Sequence, residues 1–452
     1  MNAKQILLTT ALLASSLWAA SAKQKPNFVV IMADDLGFAD VGYHGCKDIP
    51  TPHIDSIAEN GVRFLNGYSN GNVCSPTRAA LLTGRYQNRI GCDNTIGPYR
   101  RNPEAPLGLP NEAKTIAERL KLLGYATGMF GKWHLGGEIE ENRTLMPSSR
   151  GFDEFFGILE GAALYFDQTV RERKYRRGYE VLDSEPEYYT DAIGREAVSF
   201  IRRHKDQPFL CYVPFTAPHA PRQAKQEHLE KFSHIQPLVR RELVSMVFSL
   251  DENVGKILDA LKREGLEKNT LVVFISDNGG KPNDNGSLNH PLRGEKGQLF
   301  EGGIRVPFCL QWPGVIKAGQ EFASPVIGMD LFPTIFRLGG GTIHTDWEID
   351  GVDLMPFLTG KQTGRPHETL FWKSGRDLAI RHKDWKLLHQ HGKTYLFNLS
   401  NDSGEKKNLY KEHPETAKDL MKKWTAWNAE NVPPNYGWSL KKTGIHVERV
   451  PR

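Results

Sequence analysis

The chain has 452 residues, of which 39% are hydrophobic, 25% charged and 10% aromatic. This composition is typical of a globular protein with a large buried core, and it excludes a disordered or collagen-like chain. The 58 lysines and arginines against 53 acidic residues give a net charge of only +5. Such a charge is not the strongly basic signature of a nucleic-acid-binding protein. Five cysteines in a chain of this length do not make a disulfide scaffold.

The first residues have the pattern of a secretory signal peptide. Lys4 precedes an apolar stretch over 6–14, and a small-residue cleavage pattern, ASA, follows at 20–22. Two serines interrupt the apolar stretch before it reaches the roughly 20 residues that a membrane anchor needs. We therefore expect cleavage after Ala22, a secreted or periplasmic protein, and no membrane anchor.

Short apolar runs predict strands that are buried on both faces, as in a parallel sheet. They are 27–33 (NFVVIMA), 209–215 (FLCYVPF) and 271–276 (LVVFIS). Amphipathic helical patterns lie between them at 116–123, before Gly124, and at 247–261, before Gly265. Strands that alternate with helices predict a doubly wound α/β domain.

The pattern changes after about residue 362. Four short strands with polar turns between them are predicted at 369–373, 378–382, 385–389 and 394–398, followed by a helix over Pro414–Asn428. This order predicts a small antiparallel sheet with one helix. The expected organisation is a signal peptide at 1–22, a catalytic domain at 23–362 and a C-terminal subdomain at 363–452.

Each of the three predicted strands is followed by polar residues that suit a ligand site. Asp34 and Asp35 follow the first strand, His219 the second, and Asp277 and Asn278 the third. In open α/β sheets, ligands bind beyond the carboxyl ends of the strands. An isolated Asp-Asp or Asp-Asn pair is more often a helix cap or a turn. Because two such pairs share the strand-end position, we favour a site for Ca²⁺ or Mg²⁺, which prefer oxygen ligands.

The segment around Cys74 predicts a reactive residue at the start of a helix. Pro76 suits the first turn of that helix, and Gly84 suits its end. Cys74 would then lie at the helix N-terminus, where backbone N–H groups attract an anion. Arg78, one turn further on, could hold an oxyanion. The alternative is a buried, inert cysteine.

The sequence Cys74-Ser75-Pro76-Thr77-Arg78, followed by Leu82-Thr83-Gly84-Arg85, resembles the formylglycine-dependent type I sulfatases of the alkaline-phosphatase-like superfamily. The resemblance runs from Pro26 into the C-terminal subdomain. It implies a large mixed, mostly parallel sheet sandwiched by helices. It also implies that a formylglycine-generating maturation enzyme oxidises Cys74 to 3-oxoalanine (formylglycine), which hydrates to a gem-diol. Thr77 stands where this family often has serine and keeps the hydroxyl group.

The resemblance also implies a role for each polar position. One Ca²⁺ ion, or Mg²⁺, would be held by Asp34, Asp35, Asp277, Asn278 and the modified side chain of Cys74. The remaining site residues would be Arg78 beside the nucleophile, Lys132 on the sulfate, His134 near the diol, and His219 and Lys296 at the leaving group. The gem-diol would attack sulfur to give a sulfo-enzyme intermediate, and removal of a proton by His134 would expel sulfate.

The segment 289–296 (NHPLRGEK) with EGG at 301–303 looks similar to the branch that contains N-acetylgalactosamine-4-sulfatases and galactan sulfatases. The resemblance therefore implies a sulfated polysaccharide or its oligosaccharides as substrate, with sulfate at O4 of galactose or N-acetylgalactosamine. His290 and Arg293 are candidate contacts to the sugar or its sulfate. A structural salt bridge is the alternative for Arg293.

Two other functions remain open from the sequence. A phosphate mono- or diester hydrolase of the same superfamily is one, and a non-catalytic carbohydrate-binding protein is the other.

Two further features of the sequence are also open to more than one interpretation. Cys46 and Cys92 could pair in an oxidising compartment. The basic run at 171–177 (RERKYRR) is either a solvated surface or a docking surface for an anionic chain.

Overall fold

The computed structural model describes residues 25–96, 99–100, 108–136, 143–166 and 175–437. The expected signal peptide lies outside these ranges. The strands are β1 Asn27–Ala33, β2 Val62–Phe64, β3 Gly67–Tyr68, β4 Tyr99–Arg100, β5 Ala126–Lys132, β6 Glu154–Ile158, β7 Arg176–Arg177, β8 Glu180–Val181, β9 Phe209–Pro214, β10 Thr270–Ser276, β11 Phe308–Gln311, β12 Gln320–Phe322, β13 Val326–Ile327, β14 Thr369–Ser374, β15 Asp377–His382, β16 Trp385–Gln390, β17 Lys393–Asn398 and β18 Tyr436–Gly437.

The described α-helices are α1 Pro52–Glu59, α2 Cys74–Thr83, α3 Ile116–Lys121, α4 Tyr189–Arg203, α5 Gln226–Lys231, α6 Leu238–Arg263, α7 Pro282–Asn285, α8 Glu301–Ile304, α9 Leu331–Leu338, α10 Met355–Leu358 and α11 Pro414–Asn428. Short 3-10 helices cover Gly42–His44, Gln87–Ile90, Arg143–Leu145, Pro147–Ser149, Glu267–Asn269, Gly328–Asp330 and Thr345–Trp347. Within the described residues we find no helix with the length and apolar character needed to cross a bilayer.

The main sheet has ten strands in the order β12-β2-β11-β10-β1-β9-β5-β6-β7-β8. The five central strands, from β10 to β6, run parallel to one another. Antiparallel pairing begins at β11 on one side and at β7 on the other. Because the central strands are parallel, their carboxyl ends meet at one edge of the sheet.

The two faces of this sheet are covered by separate layers of helices. Along β1 the side chains alternate between the faces, as the strand geometry requires. Val29 and Ile31 pack with α1, α4 and α6, whereas Phe28 and Val30 pack with α2, α3 and α9. The predicted α/β sandwich is confirmed.

The predicted helix at 247–261 is longer in the structure and begins at Leu238. Its first turns contain Arg240, which is buried and contacts Asp40 and Asp48. An arginine on a buried face breaks the apolar pattern, so the sequence did not indicate these turns. The predicted start at Ile116 is correct, and a capping box formed by Thr115 and Glu118 fixes it.

The C-terminal part forms an antiparallel sheet in the order β14-β15-β16-β17, covered by α11. The four predicted strands are confirmed within one residue at each end. This sheet packs on Tyr68 and Ala80 of the first part of the chain and on the segment around Phe300. A domain boundary near residue 362 remains a prediction.

The suggested disulfide is wrong, because Cys46 and Cys92 are both free thiols. Cys46 donates to Asp48, while Cys92 is fully buried and donates to the carbonyl oxygen of Ile90. Of the basic run, residues 171–174 lie outside the described residues. Arg177 in β7 forms two hydrogen bonds with the carboxylate of Glu196.

Candidate active site

The carboxyl edge of the main sheet gathers the polar residues singled out from the sequence. Strand β1 leads into Asp34 and Asp35, and β10 leads into Asp277 and Asn278. Strand β5 ends at Lys132, two residues before His134, and the turn after β9 carries His219. The helix α2 and the loop that contains Lys296 complete the site, so the side chains come from six separate segments.

Two buried cationic side chains pair with the carboxylates of Asp34 and Asp277. The Nζ of Lys132 lies 2.6 Å from Oδ2 of Asp34, and a guanidinium nitrogen of Arg78 lies 2.8 Å from Oδ2 of Asp277. The same guanidinium is 3.6 Å from Asp34 and donates to the carbonyl oxygen of Lys132 at 2.8 Å. All four side chains are fully buried. Such a network is stable only because opposite charges are paired.

Two oxygens in this cluster fit a bound cation. Among the described residues, Oδ1 of Asp34 and Oδ1 of Asn278 are buried and have no hydrogen-bond partner. Ligand atoms of Asp34, Cys74 and Asp277 also lie within 4.8 Å of one another. Burial, followed by the charge of Asp34, raises the pKa of Asp277 to about 6. Orphaned oxygens and crowded carboxylates are the donor set that a divalent hard cation neutralises.

Asp35 is held from several sides in a strained conformation, with φ of 64°. Its carboxylate accepts hydrogen bonds from Lys296 Nζ at 2.8 Å and from Asn278 Nδ2 at 2.7 Å. Burial acts to raise the pKa of Asp35, but the charges of Lys296 and His219 outweigh it and keep that pKa below its usual value. The Nδ2 of Asn278 also donates to the carbonyl oxygen of Gly279, so both hydrogen bonds of this side chain are made by its nitrogen.

Cys74 is the first residue of α2, at the predicted helix N-terminus, and its side chain is buried. Burial alone would raise the pKa of its thiol, but the charges of Lys132 and Lys296 lower it overall. Thr77 bonds through its hydroxyl to the backbone N–H and carbonyl of Gly71, which fixes the turn before the helix. The thiol of Cys74 lies within 4.8 Å of carboxylate oxygens of Asp34 and Asp277, so its neighbours are charged groups as well as apolar ones.

The two histidines of the site differ in their surroundings. His134 is buried, and its Nδ1 has no hydrogen-bond partner among the described residues. Burial, with the charges of Lys132 and Arg78, lowers the pKa of His134 well below its usual value, so the ring is neutral. His219 is partly exposed. Its Nδ1 lies 2.6 Å from the carbonyl oxygen of Ala220, and its Nε2 lies 3.6 Å from Asp35.

The two predicted substrate contacts lie outside this buried group. His290 is exposed, and Arg293 extends from the same loop toward the C-terminal sheet. Arg293 donates to the carbonyl oxygen of Glu405 at 3.0 Å and lies over the ring of Phe300, 4.2 Å from its centre. Its described polar partner is a backbone carbonyl and not the carboxylate that a structural salt bridge would require.

Sequence reasoning missed a ring of residues that hold the site in shape. Asn285 and Ser287 both donate to the carbonyl oxygen of Asp35, and Tyr165 donates to the carbonyl oxygens of Thr216 and His219. The polar run 283–289 after β10 was a signal for the first two. No local pattern marks Tyr165, because its partner lies 54 residues away.

Comparison with known families identifies the chain. Residues 26–341 match the protein family described as Sulfatase, and residues 294–429 match the family described as N-sulphoglucosamine sulphohydrolase, C-terminal. The chain belongs to the sulfatase family. The first match covers every site residue described above, from Asp34 to Lys296.

Characterised sulfatases resemble this sulfatase over most of its length. Arylsulfatase J of Mus musculus is 31% identical over 91% of this chain and 77% of its own. N-acetylgalactosamine-6-sulfatase of Rattus norvegicus is 36% identical over 84% of this chain and 74% of its own. A sulfatase of Formosa agariphila is 31% identical over 98% of this chain and 95% of its own.

Solved structures agree with this assignment. Ps i-CgsB is 37% identical and superimposes with a TM-score of 0.85 over 91% of this chain and 94% of its own. Ps i-CgsB in complex with k-i-k-neocarrahexaose is 35% identical, with a TM-score of 0.86 over 93% and 96% of the two chains. The predicted enzyme class, a sulfuric ester hydrolase, is confirmed.

Proposed function

We propose that this sulfatase hydrolyses sulfate monoesters of a sulfated galactan or galactosaminoglycan, with the sulfate at O4 of galactose or N-acetylgalactosamine. The observation that carries the proposal is the position of Cys74, which is buried at a helix N-terminus where the charges of Lys132 and Lys296 act on its thiol. The positive charges of Lys132 and Lys296 act on residue 74 together with the nearby carboxylates, and they favour the binding of an anionic ester. A relative bound to k-i-k-neocarrahexaose and another named N-acetylgalactosamine-6-sulfatase support a carbohydrate substrate.

The nucleophile in this proposal is formylglycine, made from Cys74 by a maturation enzyme. As a gem-diol it has two hydroxyl groups, one of which attacks sulfur while the other later gives up its proton. Breaking the bond between residue 74 and the attacking oxygen then releases sulfate and restores the aldehyde. An unmodified thiol or a serine hydroxyl has no second hydroxyl and would retain the sulfate.

One divalent cation, which we propose to be Ca²⁺, completes the site. Its ligands would be Asp34, Asp35, Asp277, Asn278 and the modified residue 74, and Mg²⁺ is the second choice. When bound, the ion supplies positive charge that stabilises an ionised oxygen and the sulfate group. The Oδ1 atoms of Asp34 and Asn278, which are buried and have no hydrogen-bond partner in the described part of the chain, support this assignment.

Two cations of the chain itself orient the reactants. Arg78 is fixed by Asp277 and lies one turn from Cys74, so it aligns the nucleophilic oxygen. Lys132 comes from the end of β5, where Nζ contacts Asp34, and it takes up negative charge on the sulfate oxygens during transfer. Both side chains are preorganised by burial, which reduces the reorganisation needed in the transition state.

Protons move through the two histidines. His219 would protonate the departing alcohol from Nε2, since its Nδ1 faces the carbonyl oxygen of Ala220. Lys296 would contact the ester oxygen and stabilise its charge as the S–O bond breaks. His134, whose Nδ1 has no partner within the described ranges, would accept the proton of the second diol hydroxyl.

The sugar would lie at the outer rim of the site. His290 is exposed on the loop that carries Lys296, so it is placed to meet a sugar hydroxyl or a neighbouring sulfate. Arg293 is held by Glu405 and would contribute mainly through its charge. Export through the N-terminal signal would bring the enzyme to an extracellular or periplasmic polymer.

A panel of regiospecifically sulfated oligosaccharides tests this proposal. Galactose and N-acetylgalactosamine derivatives with sulfate at O4, O6 or O2 would be incubated with enzyme of known formylglycine content, and released sulfate would be measured. We expect turnover of the 4-sulfates and at least about a hundredfold lower kcat/KM for the other isomers. An aryl phosphate serves as the control for phosphoesterase activity. Preferred hydrolysis of a 6-sulfate would contradict the assignment of position, and preferred hydrolysis of the phosphate would contradict the reaction.

A further inference from the structure

The loop that carries Lys296 is attached to the catalytic centre on one side. Lys296 donates from its backbone N–H to the carbonyl oxygen of Gly280, and Gly297 donates to the carbonyl oxygen of Asn72. The Nζ of Lys296 lies 2.7 Å from Oδ1 of Asp35. These contacts join the loop to the segment after β10 and to the turn before α2.

On its other side the same loop is attached to the C-terminal part, at Gln390 in β16 and at Glu405 in the segment after β17. The backbone N–H of Leu299 donates to Oε1 of Gln390 at 2.7 Å, and that of Glu301 donates to Oε2 of Glu405 at 2.6 Å. Arg293 donates to the carbonyl oxygen of Glu405. The partners on the sheet side are 91 to 112 residues distant along the chain. The loop is thus fixed at both ends and in the middle.

A buried lysine of the C-terminal sheet reinforces this attachment. Lys386 in β16 is fully buried, and its Nζ lies 2.8 Å from Glu301 and 2.9 Å from Glu405. Tyr68, in the catalytic part, donates to the second oxygen of Glu301 at 2.7 Å. An apolar residue would stabilise an ordinary sheet interface at least as well as a buried ion pair. The charged group is therefore best explained by the geometry that it imposes.

We propose that Gln390, Lys386 and Glu405 are positioning residues, which hold the loop so that Lys296 points at the ester oxygen of the substrate. This inference rests on the proposed role of Lys296 at the leaving group. A lysine has a long flexible side chain, so its placement depends on a fixed backbone beneath it. A displacement of about 1 Å in a catalytic group can lower the rate by orders of magnitude.

The dependence of rate on the leaving group separates positioning from mere stability. If Lys296 is displaced, charge on the departing oxygen is less well stabilised. The rate should then fall most for sulfate esters of weakly acidic alcohols. A loss of folded enzyme would instead lower the rate for all substrates by the same factor. A series of aryl sulfates from 4-nitrophenyl to 4-methoxyphenyl sulfate therefore provides the readout.

Gln390→Met is the main test variant because it keeps the side-chain volume and removes the acceptor for Leu299. We expect kcat for 4-methoxyphenyl sulfate to fall about tenfold and kcat for 4-nitrophenyl sulfate to fall less than about twofold. Amide hydrogen exchange in the peptide 293–301 should become faster. The matched control is Thr369→Val, which removes the side-chain hydrogen bond to His382 within the same sheet. It should leave the ratio of the two rates unchanged.

A double-mutant cycle with Lys296→Ala completes the experiment. If Gln390 acts through Lys296, the double variant should be no slower than Lys296→Ala alone. The positioning role would be overturned if Gln390→Met slowed the parent and Lys296→Ala by the same factor. It would also be overturned if Gln390→Met slowed all the aryl sulfates of the series equally. If Lys296→Ala itself leaves the leaving-group dependence unaltered, the proposed role of Lys296 fails instead. Lys386→Met serves as a second variant, while Gln390→Met keeps the test valid if that protein does not fold.

Discussion

At the scale of single residues, the site is a set of buried charges in which each carboxylate has a cationic neighbour. The pairs are Asp34 with Lys132, Asp277 with Arg78, and Asp35 with Lys296. Pairing makes the burial of these groups tolerable, since an isolated buried charge is very costly. It also leaves unpartnered oxygens on Asp34 and Asn278 among the described residues. The side chains proposed as metal ligands are thus held in place by contacts within the chain itself.

Substitution of Cys74 tests the proposed nucleophile. Cys74→Ser should accept one sulfate and stall after about one turnover, because no second hydroxyl can expel it. Cys74→Ala should give no turnover. Mass spectrometry of the peptide containing residue 74 measures both the bound sulfate and, in the parent protein, the mass loss of thiol-to-aldehyde conversion. Many turnovers by protein whose Cys74 is entirely thiol would disprove the formylglycine mechanism.

Removal of metal tests the oxygen ligands. Chelation should abolish turnover, and Ca²⁺ or Mg²⁺ should restore it better than Zn²⁺, because the cluster offers mainly hard ligands. Asp277→Asn should lower Ca²⁺ affinity, measured by calorimetry, at least about tenfold while the far-ultraviolet circular dichroism is unchanged. Asp251→Asn, a change to a buried carboxylate in α6 away from the site, is the control. Restoration by Zn²⁺ with Ca²⁺ inactive would refute the assignment.

At the scale of elements, strand ends and helix starts set the positions of these groups. Helix α2 begins at Cys74 and ends at Thr83, and it is capped by Gly84, whose φ of 70° is unfavourable for other residues. A Cβ at Gly84 would also lie 2.8 Å from the ring of Phe332. The helix is therefore fixed at both ends, and this fixes the position of residue 74 against the sheet edge.

Helix α1 depends on a carboxylate from α6. Asp251 accepts hydrogen bonds from the backbone N–H groups of His53 and Ile54 in the first turn of α1. Burial nevertheless raises the pKa of Asp251 to about 7. Because the folded protein holds this proton more tightly than the unfolded chain, the associated stability is complete below about pH 4 and is lost as the pH rises through 7.

Asp251→Asn should remove this pH dependence. Between pH 5 and 7, the free energy of unfolding of the parent should fall relative to that of the variant by up to about 1.4 kcal/mol per pH unit. Urea denaturation at pH 5, 6, 7 and 8 measures the difference. Asp259→Asn changes an exposed carboxylate on the same helix. Its free energy of unfolding should depend on pH as that of the parent does. If the free energy of unfolding of Asp251→Asn has the same pH dependence as that of the parent, Asp251 is ionised throughout this pH range.

At the scale of the whole molecule, the C-terminal sheet is part of the frame of the active site. Trp372 in β14 is buried, donates to the carbonyl oxygen of Ser69 at 3.0 Å, and packs with its ring centre 5.2 Å from that of Tyr68. Trp427 of α11 contacts Tyr86, which lies shortly after α2. The C-terminal part thus packs near α2 on one side and against the loop of Lys296 on another.

Trp372→Ala should destabilise the protein by about 3–5 kcal/mol, because it removes a large buried side chain and leaves the carbonyl of Ser69 without its partner. Since both parts share one apolar cluster, loss of activity and loss of secondary structure should coincide during urea denaturation. Leu122→Ala, a change to an exposed side chain, should have little effect. If the C-terminal sheet unfolded at a lower urea concentration while activity was retained, the two parts would not form one cooperative unit.

The sequence by itself determined the fold class and singled out polar residues that the structure gathers at one edge of the main sheet. Apolar runs followed by Asp34, Asp277 and His219 marked the carboxyl edge, because strand burial and strand ends are recorded in local patterns. The C-terminal strands were also correct, since their alternation is a local property. The motif around Cys74 and Arg78 indicated the sulfatase family, and the comparisons confirmed it.

Only the tertiary structure decided how distant residues meet. The contact of Tyr165 with the His219 turn, the buried position of Arg240, and the attachment of Leu299 to Gln390 join residues far apart in the chain. The suggested pairing of Cys46 with Cys92 failed for the same reason. A local pattern reports whether a residue is buried or exposed, whereas its partner is chosen by the packing of separate elements, which no single stretch of sequence records.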